Sequence, residues 1–455
     1  MSPKGSSGTR AKRGVLVMGL GLSLGLVLPV SVSSAQTGPA ADVARGGPKG
    51  IVEVNVANVP GRDNGQPAVA VSPKNRNNVV VVSTNHRQGV GTSDKYHCFV
   101  AYSRDGGENW TETPWPYGNR AMCGDPNLVV DAHGIFYLAF NRLGCEPGVP
   151  TTGSPGNCNG VPNHVGVARS LDGGRTWSTP VDTPLVISST PRLRVDTATG
   201  WVYAIGGSAP SAPHAVSISK DRGLTWGPAG VLPSQPLGNQ VAVHDKILAT
   251  ATGMTVVNGT QLVPAQPTFY VSRDGGQTFT SSPVTNSAGT PVPPADGALV
   301  PNPGAGVTDP IPWVTADPTR SGRFAVLLPR GDNLEVYTTK DAGRTWTGPT
   351  VIAAPGAAKP WIEYGSTGLL GVMWRTAAVD VFSVVSFDGG KRFSKPVKVN
   401  RVAQPYGSDP SGRIEGDEWS RITLDGKYAY ISWSDARAGG SDIDGIVSRV
   451  PVSRY

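Results

Sequence analysis

One short phrase, Ser/Thr-x-Asp-x-Gly-x-x-aromatic, is written six times along this chain and constrains its fold more than any other feature. It reads SRDGGENW at 103–110, SLDGGRTW at 170–177 and SKDRGLTW at 219–226. It returns as SRDGGQTF at 272–279, TKDAGRTW at 339–346 and SFDGGKRF at 386–393. The six aspartates, Asp105, Asp172, Asp221, Asp274, Asp341 and Asp388, stand 67, 49, 53, 67 and 47 residues apart. A motif recurring at such a period signals stacked or radial repeats, not one irregular core. Each copy carries hairpin-turn chemistry. The Asp accepts hydrogen bonds from backbone N–H groups of its own turn, the Gly supplies φ > 0, and the aromatic folds back as an apolar plug.

A second pattern runs between these boxes: a short apolar strand, a turn, and another apolar strand some ten residues on. The first strands are GQPAVAV from Gly65, GDPNLVVD from Gly124, STPRLRVD from Ser189, NQVAVHD from Asn239, PIPWVTAD from Pro310, KPWIEYG from Lys359 and GDEWSRITLDG from Gly416. The boxes resemble the Asp-box (BNR) repeat of the sialidase superfamily over roughly residues 60 to 450. That resemblance implies an all-β β-propeller in which each box joins the third and fourth strands of a blade, away from the active site. Seven openings against six boxes favour seven blades, with six as the alternative, since sialidases have six. The seventh opening is followed by room for one more strand, over 444–450. The alternating stretch I-V-E-V-N-V at 51–56 reads as the strand that completes this last blade and closes the ring.

The 455 residues carry only 16% charged side chains, with 59 Gly and 41 Pro, which suits many short strands and tight turns. Lys4, Arg10, Lys12 and Arg13, then an apolar run over 14–32 and Ser33, Ser34 and Ala35, have the form of a secretory signal peptide. Residues 1–35 are therefore expected to be removed and the protein secreted. Residues 36–50 read as a flexible mature N-terminus and 51–455 as the propeller. No other stretch is apolar enough to span a membrane. The formal charge of +7 falls to +3 without the four basic residues of the signal, and no basic stripe suggests nucleic acid. Cys98, Cys123, Cys145 and Cys158 form an even set in an exported chain. Disulfides are favoured over a metal site because no CxxC spacing exists, and the expected pairs are Cys145–Cys158 and Cys98–Cys123. The six histidines show no metal-ligand spacing, the acidic turn from Asp435 to Asp444 lacks a recognised calcium-loop pattern, and no cofactor is implied.

In a propeller, the approach to each first strand and the exit from each second strand emerge on one face. Those positions collect Arg87, Arg142, Arg192, Arg330, Arg375 and Arg437, with the carboxylates Asp125, Asp417 and Glu418 as acid–base candidates. Converging guanidinium groups suit the carboxylate of an acidic sugar, although each can instead brace neighbouring blades. The resemblance implies a triarginyl cluster, a Tyr nucleophile with a Glu partner, and an Asp acid/base. Arg330, eleven residues before Asp341, and Arg375, thirteen before Asp388, match the second and third arginines. The first arginine's slot reads Asn64, Gly65, Gln66, Pro67, and the acid/base Asp falls near Asn85. The Glu partner has no counterpart over 313–317, and Trp419, Ser420, Arg421 and Ile422 replace the Tyr motif. The leading expectation is an exo-sialidase-like glycoside hydrolase acting on acidic glycans. A non-catalytic glycan- or protein-binding propeller and a uronic-acid polysaccharide lyase are the alternatives.

Overall fold

Apolar runs of four to eight residues separated by Gly-containing turns cannot bury both faces alone, so they pair into sheets and the sheets pack on one another. In the computed structural model of the chain they form seven antiparallel sheets of four or five strands, besides one two-stranded ribbon. The described residues are 42–44, 50–59, 62–87, 98–115, 117, 121–142, 163–186, 189–207, 214–233, 241–257, 261–294, 312–376, 380–401, 420–437 and 443–455. All lie in the compact unit Gly38–Tyr455. Blade 1 consists of Ala68–Val71, Val79–Thr84, Cys98–Ser103 and Thr111–Glu112, in that spatial order. Blades 2 to 6 repeat this meander, and their innermost strands are Ala121–Val130, Ser189–Val195, Val241–His244, Trp313–Ala316 and Ala357–Tyr364. Among the described residues the only helical element is a 3-10 turn at Val452–Arg454.

Blade 7 is built from both ends of the chain. Arg421–Leu424, Tyr428–Asp435 and Asp444–Pro451 supply three strands, and Val52–Ala57 supplies the fourth, with Val54 opposite Val447. The ring has seven blades closed by the N-terminal strand. The short strand Asp42–Ala44 adds a fifth member to this sheet, opposite Glu53 to Asn55.

The six boxes fold alike and sit between third and fourth strands. In every box the Ser or Thr hydroxyl accepts the N–H of the second turn residue after the Asp, at 2.7–2.9 Å. The Asp Oδ1 accepts the N–H four residues on at 2.9–3.0 Å, and Oδ2 accepts that residue's side chain at 2.5–2.9 Å. Two successive residues take positive φ. The second is always Gly, while the first is Arg222 in box 3 and Ala342 in box 5. The terminal aromatic plugs the seam with the preceding blade. Trp346 of blade 5 meets Phe269 of blade 4 edge-on at 5.1 Å, and Phe279 of blade 4 packs against the cluster shared by blades 3 and 4.

Partial burial tends to raise these carboxyls, but the donated hydrogen bonds prevail. Thr225 helps hold Asp221 at about 2, and Arg392 does the same for Asp388. Because the folded values lie below the ordinary Asp value near 3.8, this contribution to stability is present above that pH and is lost as the pH falls toward 2. Acid unfolding followed by fluorescence is expected to centre in this window, and Asp221→Asn should flatten it. Asp172→Ala should cost about 1–2 kcal/mol by removing bonds to a charged acceptor, read as a lower Tm. Ala342→Gly should raise Tm slightly, since Ala at φ 57° pays a steric cost that Gly does not.

Candidate functional site

The innermost strands of the seven blades ring a central channel. Their register follows from the residue that opens each first turn: Ser72, Asp131, Asp196, Asp245, Asp317, Gly365 and Asp425. In six of the seven, this residue's N–H bonds across the turn to the start of the second strand, for example Asp131 to Ile135 and Asp196 to Trp201. Four residues earlier lies a layer of Ala68, Asn127, Arg192, Val241, Trp313, Trp361 and Arg421. Two residues earlier lies a layer of Ala70, Val129, Arg194, Val243, Thr315, Glu363 and Thr423. Blades 1 and 4 contribute only small or branched apolar groups, so the ring closes without charge there. Blades 3, 6 and 7 supply the charged residues.

A cavity of about 180 Å³ lies in the channel and is lined by all seven blades. Its one carboxylate is Glu363, which accepts the Trp361 indole N–H at 3.3 Å. The Arg421 guanidinium stands 5.3 Å from the centre of the Trp361 ring and donates to the Pro126 carbonyl at 3.2 Å. Arg194 donates to the carbonyls of Val241 and Leu193, at 2.6 and 3.0 Å. Trp313 packs on Trp361 with ring centres 4.8 Å apart. Burial pushes the Glu363 carboxyl up, against the opposing influence of Arg194, the Trp361 indole and Arg421. Nearby, Arg192 is fully buried, and burial followed by the Arg192 charge holds His214 down at about 4. The site thus joins a carboxyl whose pKa burial raises, indole surface and guanidinium groups in one channel. Of these groups Arg192 and Arg421 are buried, which is costly to a fold and makes the channel a candidate functional site.

The residues singled out in the sequence fall into distinct settings. Arg142 ends its second strand, Phe136–Arg142, and contacts the Pro180 carbonyl and Asp182 at 3.2 and 3.4 Å. Arg330 ends Phe324–Arg330 and donates to Glu335 at 3.0 Å and to the carbonyls of Pro293 and Pro294. Arg375, near the end of Leu370–Thr376, is fully buried. Arg437 bridges Asp435, at 2.6 and 2.8 Å, and the buried Glu53 of the closing strand. Arg87 lies in a two-residue ribbon with Arg62–Asp63, and Asp125 in Ala121–Val130, but both side chains lie outside the described residues. So do Asp417, Glu418, Cys145, Cys158 and the Cys123 side chain. Cys98 is buried at the start of its strand, and among the described residues no cysteine is free. Among the described residues no three His, Cys, Asp or Glu side chains gather as a metal group, and no helix is long and apolar enough to cross a membrane.

Glu363, Arg194 and the Trp313–Trp361 pair were not singled out as site residues in the sequence. Their signal was there: charged residues at alternate positions of otherwise apolar innermost strands, in WIEY and RLRV.

No family model and no curated protein matches this sequence. Among solved structures, the chain is similar to a protein of unknown function from Dyadobacter fermentans, at 14% identity and TM-score 0.45, covering 89% of this chain and 100% of that one. An α-L-arabinanase of Penicillium chrysogenum, solved with arabinobiose, is 13% identical at TM-score 0.45, covering 88% and 99%. A Trypanosoma rangeli sialidase solved with the inhibitor DANA is 12% identical at TM-score 0.43, and this chain spans 56% of its length. None of these likenesses identifies what this chain binds.

The Arg437 contacts make a prediction. Arg437→Ala strands the carboxylates of Glu53 and Asp435 inside blade 7 and should cost about 3–5 kcal/mol. Chemical denaturation should show this loss, with protease cleavage first appearing at the N-terminal strand.

Proposed function

We propose that this is an exported glycan-active propeller that takes the terminal residue of an acidic glycan at its central channel, with glycoside hydrolysis of the exo-sialidase type as its reaction. Residues 1–35 are the export signal in this reading, and Cys98–Cys123 and Cys145–Cys158 are its disulfides. The observation that carries the proposal is the channel cluster of Glu363, Trp361, Arg194 and Arg421, in a cavity sized for one small group. A carboxyl that burial shifts toward its protonated form is suited to donate a proton to a leaving oxygen. Indole faces suit the apolar face of a sugar, and the guanidinium charge suits its carboxylate.

A second reading, binding without turnover, is favoured by one specific feature. Glycoside hydrolysis ordinarily uses two carboxylates, and among the described lining residues Glu363 is the only one.

Incubation with a panel of sialosides and uronic-acid polymers separates these outcomes. Release of free sugar, with kcat lowered about 100-fold or more in Glu363→Gln and KM little changed, is the expected result. Binding without release establishes the second reading. An unsaturated product signals lyase chemistry and sinks the hydrolase assignment, and absence of binding to every acidic glycan sinks both readings. The pH dependence follows from the raised Glu363 carboxyl. Activity should fall as the pH rises through its folded pKa. The same raised value means that Glu363 contributes stability below the ordinary Glu value near 4.5 and loses it as the pH rises. The Tm of Glu363→Gln relative to wild type should therefore increase with pH above that value.

A further inference from the structure

The face that carries the boxes holds a second cleft, separate from the channel, between blades 5 and 6. Its volume is about 320 Å³. Four cations line it: Arg320 and Arg323 from the first turn of blade 5, Lys340 from box 5 and Lys391 from box 6. The one acidic residue in the lining, Asp388, is consumed by its own box. It accepts the Arg392 N–H and pairs with the Arg392 guanidinium at 2.9 Å. Arg323 is offset by the buried Asp317 at 3.6 Å, and lies so close over box 6 that a Cβ on Gly389 would stand 2.7 Å from its Nη1. Arg320, Lys340 and Lys391 are exposed, and among the described residues no carboxylate pairs with them.

Some cations near the other boxes are held within the molecule. Arg104, the counterpart of Lys340 in box 1, donates to the Asp172 carbonyl of blade 2. Lys220, its counterpart in box 3, lies 4.6 Å over the Trp201 ring. Arg169 of blade 2 donates to the Arg222 carbonyl of blade 3 at 2.9 Å. The cleft between blades 5 and 6 instead gathers several cations around one cavity. The hydroxyls of Thr347 and Thr367 also line it, and the exposed Phe387 ring stands at its edge.

We propose that this cleft binds the sulfate or phosphate esters of an anionic polysaccharide. Three uncompensated cations and two hydroxyl donors match a tetrahedral oxyanion with several acceptor oxygens, and charge-assisted bonds of this kind are the strong ones. The Phe387 ring offers an apolar surface for the sugar that carries the ester. The site is independent of the channel. An enzyme working on a polymer would be held on it by a contact remote from the bond being cleaved, which raises its effective concentration there.

The test uses the full-length secreted protein with dextran sulfate, dextran phosphate and unmodified dextran, by calorimetric titration at low and physiological salt. Wild type should bind at least one esterified dextran and not the unmodified polymer, and the affinity should fall with salt. The triple variant Arg320→Ala, Lys340→Ala, Lys391→Ala should bind about tenfold or more weakly, losing several charge-assisted bonds, with Tm unchanged because all three side chains are exposed. The pair Arg175→Ala, Arg273→Ala, cations in boxes 2 and 4 outside the cleft, should lose no more than about twofold through general screening. Preference between the two esters identifies the source of the oxyanion. Equal losses in the triple variant and the control pair would reduce the effect to a diffuse basic surface and overturn the proposal. Undiminished binding by the triple variant, or no binding by wild type, would overturn it as well. Glu363→Gln should leave this binding intact whatever it does to hydrolysis, so failure here and failure of the channel reading are separate results.

Discussion

The contact on which the architecture depends is that between the second glycine of boxes 2, 4, 5 and 6 and the blade before it. A Cβ there would stand 2.7 Å from Val80 at Gly174, 2.8 Å from Val216 at Gly276, 2.6 Å from Phe269 at Gly343 and 2.7 Å from Thr338 at Gly390. Real Cβ atoms do not come so close, so only glycine lets neighbouring blades approach this far at the outer edge of the box face. The same residue requires positive φ, so its two constraints coincide. Side chains then tie the seam to the box backbone: Thr113 donates to the Gly174 carbonyl, Ser282 to that of Gly343 and Thr350 to that of Gly390. Blade spacing sets the width of the channel, so a device at the edge of the molecule bounds the cavity at its centre.

The closing blade is held differently, because no box serves it. Its fourth strand comes from the other end of the chain, and the junction relies on buried polar pairing. Asn55 donates to Asp444 at 2.7 Å, Glu53 accepts the Arg401 N–H at 2.7 Å, and Arg437 spans Glu53 and Asp435. Such pairing tolerates a single register better than apolar contact does, since a one-residue slip would bury each charge without its partner. Arg449 continues the junction into blade 1 by donating to the Gly106 carbonyl and to Glu108, at 2.9 and 2.7 Å.

Arginines at strand ends show how far a sequence pattern reaches. Arg330, Arg375 and Arg437 do end or follow second strands, as their place after apolar runs indicates. The direction of each guanidinium depends on partners far away in sequence. Arg330 finds Pro293 and Pro294, and Arg437 finds Glu53, 384 residues earlier. The channel residues went unselected for the same reason. Glu363 in WIEY shares its strand with Lys359, and Arg194 in RLRV with Arg192, but nothing within either strand marks these residues as facing a common channel.

What the sequence determined by itself is local and repetitive: the box turns, the paired strands before them, a preference for seven blades over six, and the strand that closes the ring. Each rests on hydrogen bonds spanning four residues or on alternation with period two, so each is written within a dozen residues. Tertiary structure alone decided which side chains share a layer of the channel. It also decided which seam cations find an internal partner and which, at blades 5 and 6, face open space. Those outcomes depend on bringing seven strands, far apart in sequence, to a common axis, and no short-range pattern encodes that distance.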